Sequence, residues 1–208
     1  VLYKQGFDEH TPIDFVKHSF FGCSKLAADL YVQEYGQYLG MKTGVFRCGC
    51  ITGPNHAGAE LHGFLSYLVK CVKENIPYTI YGYKGKQVRD NIHSYDLVTA
   101  FNEFYNKPIP GAVFNLGGGP ANSCSVLEAI EKVQTITGNT LKFTISDDAR
   151  IGDHKWWITD NSHFKASYPN WEMIYDLDDI IEELCNPPVE EIIEDETPKE
   201  MESNGPTE

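Results

Sequence analysis

Residues 43–54 read TGVFRCGCITGP, a short segment with a single charged residue that ends in a Thr-Gly-Pro turn. A nearly uncharged run of this length is typical of a parallel strand whose two faces are both covered by helices. We therefore predict that residues 43–51 form a strand buried on both faces, with a loop at its carboxyl end.

The segments on either side of this strand alternate between helical and extended patterns. A helix is predicted from Ser24 to Leu39, because its apolar residues recur near a 3.6-residue period and glycines mark its end. Ser125 and Glu128 form the S-x-x-E pattern that begins a helix, and residues 117–119, three glycines, predict a turn with positive φ. Further helices are predicted in 61–75, 94–105 with a cap at Ser94, 126–136 and 176–184, and strands in 78–93 (two, around a glycine turn), 112–116 and 141–145. This alternation predicts an α/β fold, with a smaller mixed lobe after about residue 60.

Charge separates the C-terminal end of the chain from the rest. From Pro187 onward there are eight acidic residues and one lysine, so this end carries −7 of the formal net charge of −13. A segment rich in Glu and Pro and poor in aromatics buries too little apolar surface to offset its ordering entropy. We predict a globular unit over residues 1–186 and an acidic disordered tail over 187–208.

Composition also restricts the partners and the location of the protein. The negative net charge argues against nucleic acid, since duplex binding rests on phosphate neutralisation by Lys and Arg. The same charge disfavours an anionic membrane surface, and no apolar run approaches the ~18 residues that a membrane helix needs. Six cysteines without a disulfide-like spacing predict reduced thiols and a cytoplasmic location. His56, His62 and the cysteines at 48 and 50 have no recognised ligand spacing, so no metal site is predicted.

Phe21 and Lys25 lie four residues apart where the first helix begins, so both project from one helix face. Many enzymes place a tyrosine and a lysine at this spacing to move a proton, but here the aromatic residue has no hydroxyl. Taken alone, the pair also fits a buried phenylalanine beside a surface lysine.

Four segments share their order and spacing with one enzyme family. They are FGCSKLAADLYVQEY (21–35), FRCGCITGP (46–54), VRDNIHSYDLVTA (88–100) and FNLGGG (114–119). The first resembles the Tyr-Gly-x-Ser-Lys active-site helix of the extended short-chain dehydrogenases/reductases, in the NAD-dependent epimerase/dehydratase family, and the others resemble its later conserved blocks. The similarity covers residues 18–185, and GCSKLAAD and GKQVRDNIH are most similar to the CDP-paratose 2-epimerase branch.

The resemblance implies the C-terminal part of a Rossmann-type doubly wound parallel sheet, which holds NAD, and a smaller mixed α/β lobe that binds a nucleotide sugar. It implies epimerisation or dehydration of that sugar by transient hydride transfer to NAD. Neither a G-x-G-x-x-G after an early strand nor a P-loop is present. The chain would thus correspond to the last half to two-thirds of such an enzyme, without its NAD-binding half, and is not expected to bind NAD alone. A homodimer through the active-site helix is a further expectation.

By position in the family motifs, Lys25 would contact the nicotinamide ribose and lower the pKa of a neighbouring hydroxyl. Phe21 stands where that phenol usually is. Cys48 falls where the strand end faces the nicotinamide. The resemblance therefore implies a cofactor site from which the usual proton donor has been removed.

Position in the family motifs also indicates which residues would contact the substrate. Cys50 occupies an asparagine position of many relatives, where the side chain meets the substrate. Arg89 matches an arginine that clamps phosphate, a role that suits a bidentate guanidinium. Asn55 and His56 follow the Gly-Pro loop and are candidates for the lining of the substrate pocket, although a lone loop histidine is more often a surface residue.

Two alternatives stay open. Arg89 could form a salt bridge with Asp90 or Asp96 instead of binding phosphate. Phe21 also fits a non-catalytic family member that keeps a nucleotide-sugar or protein-binding surface. Lys25 instead favours an enzyme, since a non-catalytic site has no evident need for this lysine.

Overall fold

The computed structural model describes residues 6–13, 17–56, 58–59, 63–149 and 153–188, so the predicted tail lies outside the described residues from 189 onward. Within them the helices are α1 (Phe20–Leu39), α2 (Phe64–Glu74), α3 (Ser94–Asn106), α4 (Val126–Thr137), α5 (Ser162–Ser167) and α6 (Leu177–Cys185). The strands are β1 (Gly44–Cys48), β2 (Cys50–Thr52), β3 (Tyr78–Tyr81), β4 (Val88–His93), β5 (Ala112–Leu116), β6 (Ser123–Ser125), β7 (Phe143–Ser146) and β8 (Trp156–Trp157). A 3₁₀ turn spans Tyr83–Gly85.

Parallel pairing dominates the sheets. β1 pairs in parallel with β5, from Gly44 opposite Ala112 to Cys48 opposite Leu116. β4 is central to a second sheet, where it pairs in parallel with β2 and β8 and antiparallel with β6. β3 and β7 form a third parallel pair. The predicted α/β class with parallel strands is confirmed.

The strand predicted over residues 43–51 is divided and only half-buried. Gly49 interrupts it, so β1 and β2 belong to different sheets. A side chain at Gly49 would lie 2.8 Å from Asp90 Oδ1, which explains the glycine there. All of β1 is half-buried and Ile51 of β2 is 41% exposed. The expectation of burial on both faces was wrong, because the aromatic cluster and the largely exposed helix α1 that pack against β1 leave each of its residues only half-buried.

The two strands predicted in residues 78–93 form, but they do not pair with each other. β3 joins β7, while β4 enters the second sheet. Between them Tyr83 and Lys84 adopt φ angles of 49° and 55°. This left-handed conformation costs a non-glycine residue roughly 1–2 kcal/mol. The turn therefore carries strain, and it sends β4 away from β3 instead of closing a hairpin.

Helix α1 begins earlier than Ser24. Ser19 caps it, since its Oγ accepts a hydrogen bond from the Gly22 backbone N–H at 3.0 Å. At the start of α4 the capping box of Ser125 and Glu128 forms as predicted, each side chain accepting from the backbone N–H of the other. Hydrogen bonds between residues three apart in the sequence are thus sufficient to begin both helices.

The cap of α3 differs from the predicted Ser94. His93 caps this helix, because its Nδ1 accepts the Tyr95 backbone N–H at 3.1 Å. An Nδ1 that accepts leaves the proton on Nε2, which lies 2.6 Å from Glu183 Oε2 on α6. The buried imidazole also stacks on Tyr175, with 3.9 Å between ring centroids. The capping residue therefore connects α3 to α6. His93 and Glu183 are 90 residues apart, so a local sequence pattern could not predict this contact.

Two hydrophobic clusters form the core. One joins α2, α4 and α6, with Leu65, Val133 and Ile180 at its centre. The other is rich in aromatic rings and joins β4, β5, α3 and α5 around Phe114 and Phe164. Because α3 and β5 follow α2 in sequence, the chain passes back and forth between the clusters. Each cluster is therefore built from elements that are far apart in the sequence.

Helix α1 is largely exposed. Within it Gly36 alone is buried, where a side chain would meet the Gly111 backbone N at 2.1 Å. Its large apolar side chains face outward: Phe20, Phe21, Leu30, Tyr31, Tyr35, Tyr38 and Leu39. An exposed apolar surface of this kind suits an interface, and the homodimer through this helix remains a prediction.

Candidate active site

The first turns of α1 present Phe21 and Lys25 together on its exposed face. Lys25 Nζ lies 5.4 Å from the centroid of the Phe21 ring, a cation–π contact. The Phe21 side chain is 71% exposed. The alternative of a core phenylalanine was therefore wrong, and the two side chains are neighbours on an accessible surface.

Arg47 of β1 fastens α1 to the sheet. Its Nε donates to Asp29 Oδ2 at 2.7 Å and its Nη2 donates to Asp29 Oδ1 at 3.1 Å. Its Nη1 also donates to the Glu9 carbonyl oxygen at 3.3 Å. The hydrogen bond with Asp29 raises the pKa of Arg47. No role was predicted for Arg47, although a lone charge in an apolar strand indicates that the side chain has a partner.

Cys48 ends β1 and packs against the aromatic cluster. Burial raises the pKa of its thiol to about 11. A thiol with that pKa is neutral at physiological pH, so it offers neither a nucleophile nor a charged ligand there.

An open cavity of about 270 Å³ lies between β3 and β4, and we call it the outer cavity. Aromatic and polar side chains line it, with Cys50 and the N-terminus of α2 at one end. The lining side chains that can form hydrogen bonds or stack are Tyr78, Thr79, Tyr81, Gln87, Arg89 and Asp153.

Arg89 is held in the wall of the outer cavity. Its Nη2 donates to Asp153 Oδ1 at 2.7 Å and also to the His154 carbonyl oxygen, and its Nη1 donates to the Val88 carbonyl oxygen at 2.7 Å. A guanidinium carries five N–H donors. The three bonds therefore leave the Nε donor and one Nη1 donor for a ligand.

The salt-bridge alternative for Arg89 named the wrong partners. Asp90 is fully buried, and its Oδ2 accepts the backbone N–H groups of Gly119 and Thr159, each at 3.0 Å. Asp96 instead accepts from the backbone N–H groups of Ile174 and Tyr175, directly before the N-cap of α6. Asp153, 64 residues from Arg89, is the acidic partner.

A second cavity of about 160 Å³ adjoins the first, and we call it the inner cavity. The two share Cys50, Gly63 and Phe64 in their linings. His56 and Thr52 line the inner cavity together with Asn91 of β4. Burial, with a further contribution from the Asp90 charge, raises the pKa of the Cys50 thiol to about 11.

The structure thus brings together part of the predicted set. Cys50, Arg89 and His56 meet around the adjoining cavities. Asn55 is exposed and is not among the described residues that line either of them. Phe21, Lys25 and Cys48 stand apart, on α1 and at the end of β1. Tyr78, Tyr81, Gln87 and Asp153 were missed, because no local pattern in the sequence brings them to one cavity.

The described residues contain no cluster of three or more His, Cys, Asp or Glu side chains that could hold a metal ion, and His62 lies outside them. In the same part of the chain, no helix has the length and apolar character required to cross a membrane.

Comparison with known proteins supports the family resemblance of the four motif segments. Residues 3–117 match the model of the NAD dependent epimerase/dehydratase family. The chain belongs to this family. A CDP-paratose 2-epimerase from Salmonella typhi is 35% identical over 162 residues, which cover 74% of this chain and 47% of that protein.

Solved structures of the epimerase/dehydratase type share the fold. A dTDP-glucose 4,6-dehydratase from Bacillus anthracis in complex with NAD matches with a TM-score of 0.74 at 23% identity, over 89% of this chain and 56% of the other. A mutant of UDP-glucuronic acid 4-epimerase from Bacillus cereus, bound to a fluorinated UDP-glucuronic acid and NAD, matches with a TM-score of 0.74 at 24% identity, over 85% and 54%. The chain spans about half the length of these relatives.

The raised thiol pKa values predict the reactivity of Cys48 and Cys50. At pH 8 we expect iodoacetamide to modify Cys48 and Cys50 about two orders of magnitude more slowly than a thiol of ordinary pKa near 8.5, because the thiolate is the nucleophile. Their rates should then rise about tenfold per pH unit until the pH approaches about 11. Peptide mass mapping over time measures this, with exposed Cys23 as the internal reference. Fast labelling of Cys50 at pH 7 would contradict the burial seen here.

Proposed function

We propose that this chain supplies the nucleotide-sugar-binding part of an NAD-dependent epimerase or dehydratase. The observation that carries the proposal is the outer cavity, which is lined by Arg89, with two donors that no described residue uses, and by Tyr78 and Tyr81. Guanidinium groups make paired hydrogen bonds with phosphate, and aromatic rings offer a stacking surface to a nucleobase. Membership of the epimerase/dehydratase family supports the same assignment.

In this proposal Asp153 positions the Arg89 side chain for phosphate binding. Its carboxylate holds the Arg89 guanidinium at the cavity wall, which limits the number of conformations that the side chain must give up when a phosphate binds. The Cys50 thiol is neutral and a weak hydrogen-bond partner. Phosphate binding would therefore depend on Arg89 more than in relatives with an amide at the Cys50 position.

The cofactor would lie against α1. The exposed Lys25 ammonium beside the flat Phe21 ring fits the ribose hydroxyls next to a planar nicotinamide ring. Cys48, at the carboxyl end of β1, would face the same end of the cofactor. NAD, when bound, supplies a reversible hydride acceptor. No glycine-rich turn for the pyrophosphate precedes a helix in the described residues, so the chain alone is still expected not to hold NAD.

A second candidate function is binding without turnover. Phe21 favours it, since a phenyl ring cannot exchange a proton with a sugar hydroxyl. In that case the outer cavity would still hold a nucleotide sugar. The cytoplasmic location and the homodimer through α1 are proposed for either function.

A substitution at Phe21 separates the two functions. The experiment uses the longer protein in which this chain is joined to an NAD-binding half. If another group already supplies the proton, that protein, saturated with NAD, converts a CDP- or UDP-sugar, and Phe21→Tyr changes its rate little. If the protein only binds, Phe21→Tyr is expected to create turnover, because the Lys25 ammonium lowers the pKa of the new phenol. Epimer formation and solvent-isotope washout, followed by chromatography and mass spectrometry, measure this.

Phe20→Tyr is the matched control for this experiment, since Phe20 is the preceding residue and is 97% exposed. It should behave as the wild type in either case. Failure of the wild-type protein to bind any nucleotide sugar, with NAD present, would contradict both candidate functions.

A further inference from the structure

The N-terminal turns of α1 carry Lys25, but they contact little of the rest of the described protein. Residues 20–28 are all exposed except Leu26, which is half-buried. In the part of the chain that the structure describes, their hydrogen bonds stay within the helix and its cap, Ser19. The first polar contact of α1 with another element is made by Asp29, four residues after Lys25.

Arg47 makes that contact in a fixed geometry. Its Nε donates to Asp29 Oδ2 at 2.7 Å and its Nη2 donates to Asp29 Oδ1 at 3.1 Å. Two parallel hydrogen bonds between a guanidinium and a carboxylate define an orientation as well as a distance. The Asp29 side chain is only 12% exposed, so water competes little for it. This ion pair therefore fixes the direction in which α1 leaves the sheet.

Arg47 is itself held by the segment that precedes α1. Its Nη1 donates to the Glu9 carbonyl oxygen at 3.3 Å. That segment is anchored in turn, since the Phe7 ring stacks on Trp157 with 4.7 Å between centroids, and Glu9 Oε1 accepts the Asn115 backbone N–H at 2.6 Å. Asn115 lies opposite Arg47 in the pairing of β1 and β5. The guanidinium thus has partners on both sides and little freedom to move.

The other anchors of α1 lie farther from Lys25. Thr43 Oγ1 donates to the Val32 carbonyl oxygen at 2.9 Å, and buried Gly36 packs against the turn before β5. At 1.5 Å per residue, Asp29 is about 6 Å from Lys25 along the helix axis, whereas Val32 is about 10 Å and Gly36 about 16 Å away. Without the ion pair, a tilt of about 10° at Val32 would move Lys25 by about 2 Å.

We infer that Arg47 is a positioning residue, which sets the place of the Lys25 ammonium by holding Asp29. This role depends on the proposed function, in which Lys25 contacts the cofactor and assists proton transfer. Arg47 is not among the described residues that line either cavity, so it acts on Lys25 and not on the nucleotide sugar. A displacement of a reacting group by about 1 Å can lower a rate by about 100-fold.

The first test is steady-state kinetics of the longer protein that includes the NAD-binding half, at saturating NAD. Arg47→Met keeps an unbranched side chain but removes the guanidinium. It is expected to lower kcat by about tenfold to 100-fold and to leave KM for the nucleotide sugar within about twofold. Arg47→Lys keeps the charge without the paired hydrogen bonds, so it should restore part of kcat.

A Lys25→Ala background shows whether Arg47 acts through Lys25. In that background Arg47→Met should change kcat by less than about twofold, because residues that act through one contact are not additive. Lys132→Met is the matched control, since Lys132 of α4 forms an ion pair with Asp178 of α6. It removes a paired cation far from α1 in sequence and should leave kcat unchanged in both backgrounds.

A second measurement does not depend on turnover. Asp29→Ala removes the carboxylate and introduces the residue with the highest helix propensity, so it does not weaken the helix itself. In hydrogen exchange followed by mass spectrometry on the same longer protein, the amides of residues 24–28 should exchange at least about threefold faster than in the wild type, through local opening. The amides of α4 should be unaffected.

Three results would be decisive. Unchanged exchange in Asp29→Ala would show that the ion pair does not hold this part of α1, and the inference would be wrong. An equal loss of kcat by Arg47→Met with and without Lys25 would mean that Arg47 supports the fold in general, which also overturns the inference. A wild-type protein that does not turn over any nucleotide sugar contradicts the proposed enzyme instead, and the exchange experiment still decides whether Arg47 and Asp29 fix the helix segment that carries Lys25.

Discussion

Replacing Lys25 by alanine is expected to lower kcat by about 100-fold or more while KM for the nucleotide sugar changes little. The ammonium is exposed on α1, beside Phe21 and outside the lining of both cavities. Under the proposed function it would therefore act on the cofactor and on proton transfer, not on substrate affinity. Groups that assist proton transfer typically contribute 10²–10⁴-fold to rate.

Steady-state kinetics of the longer protein that includes the NAD-binding half, at saturating NAD, measure this effect, because saturation separates loss of cofactor affinity from loss of turnover. Lys42→Ala is the matched control, since Lys42 is an exposed lysine just beyond the end of α1. It should leave both constants unchanged. Turnover by the wild-type enzyme that survives Lys25→Ala intact would show that α1 does not carry the active site.

The largest loss of stability is expected from Phe164→Ala. Phe164 is fully buried, with ring centroids of Tyr168 at 4.8 Å, Trp171 at 5.1 Å and Phe114 at 5.2 Å. Removing a buried phenyl ring costs about 3–5 kcal/mol, since the cavity that remains collapses only in part. For a chain of this size that corresponds to a fall in Tm of roughly 6–20 °C.

Urea denaturation followed by circular dichroism, with a thermal melt in parallel, measures this change. Phe20→Ala removes the same ring from a position that is 97% exposed, and it should change the unfolding free energy by less than about 0.5 kcal/mol. Equal effects of the two substitutions would mean that the aromatic cluster of β5, α3 and α5 is not a packed core.

Much of the secondary structure could be predicted because its causes are local. The capping box of Ser125 and Glu128 joins groups three residues apart, and it forms as predicted. The turn after β5 was also predicted, and Gly119 has the expected positive φ of 66°. Gly118 has another reason: a side chain there would lie 2.0 Å from the Asn91 carbonyl oxygen. That close approach involves a different strand and could not be read from the glycine run.

The candidate site was predictable only in part. Arg89, Cys50 and His56 were named from motif position, and they do line adjoining cavities. The motif did not indicate that Asp153 holds Arg89, nor that Tyr78 and Tyr81 belong to the lining of the same cavity. These contacts join β3, β4 and the segment before β8, and no local pattern links segments so far apart.

By itself, the sequence determined the relations that a helix or strand period imposes. Phe21 and Lys25 are neighbours because residues four apart share a helix face, and the alternation of strands and helices indicated an α/β fold. Tertiary structure alone decided the separation of β1 from β2 at Gly49, the partner of Arg89 and the residues that line the two adjoining cavities. Those features depend on which distant segments pack together. The packing is determined by how the apolar surface of the whole chain is buried, and not by the conformational preference of any one segment.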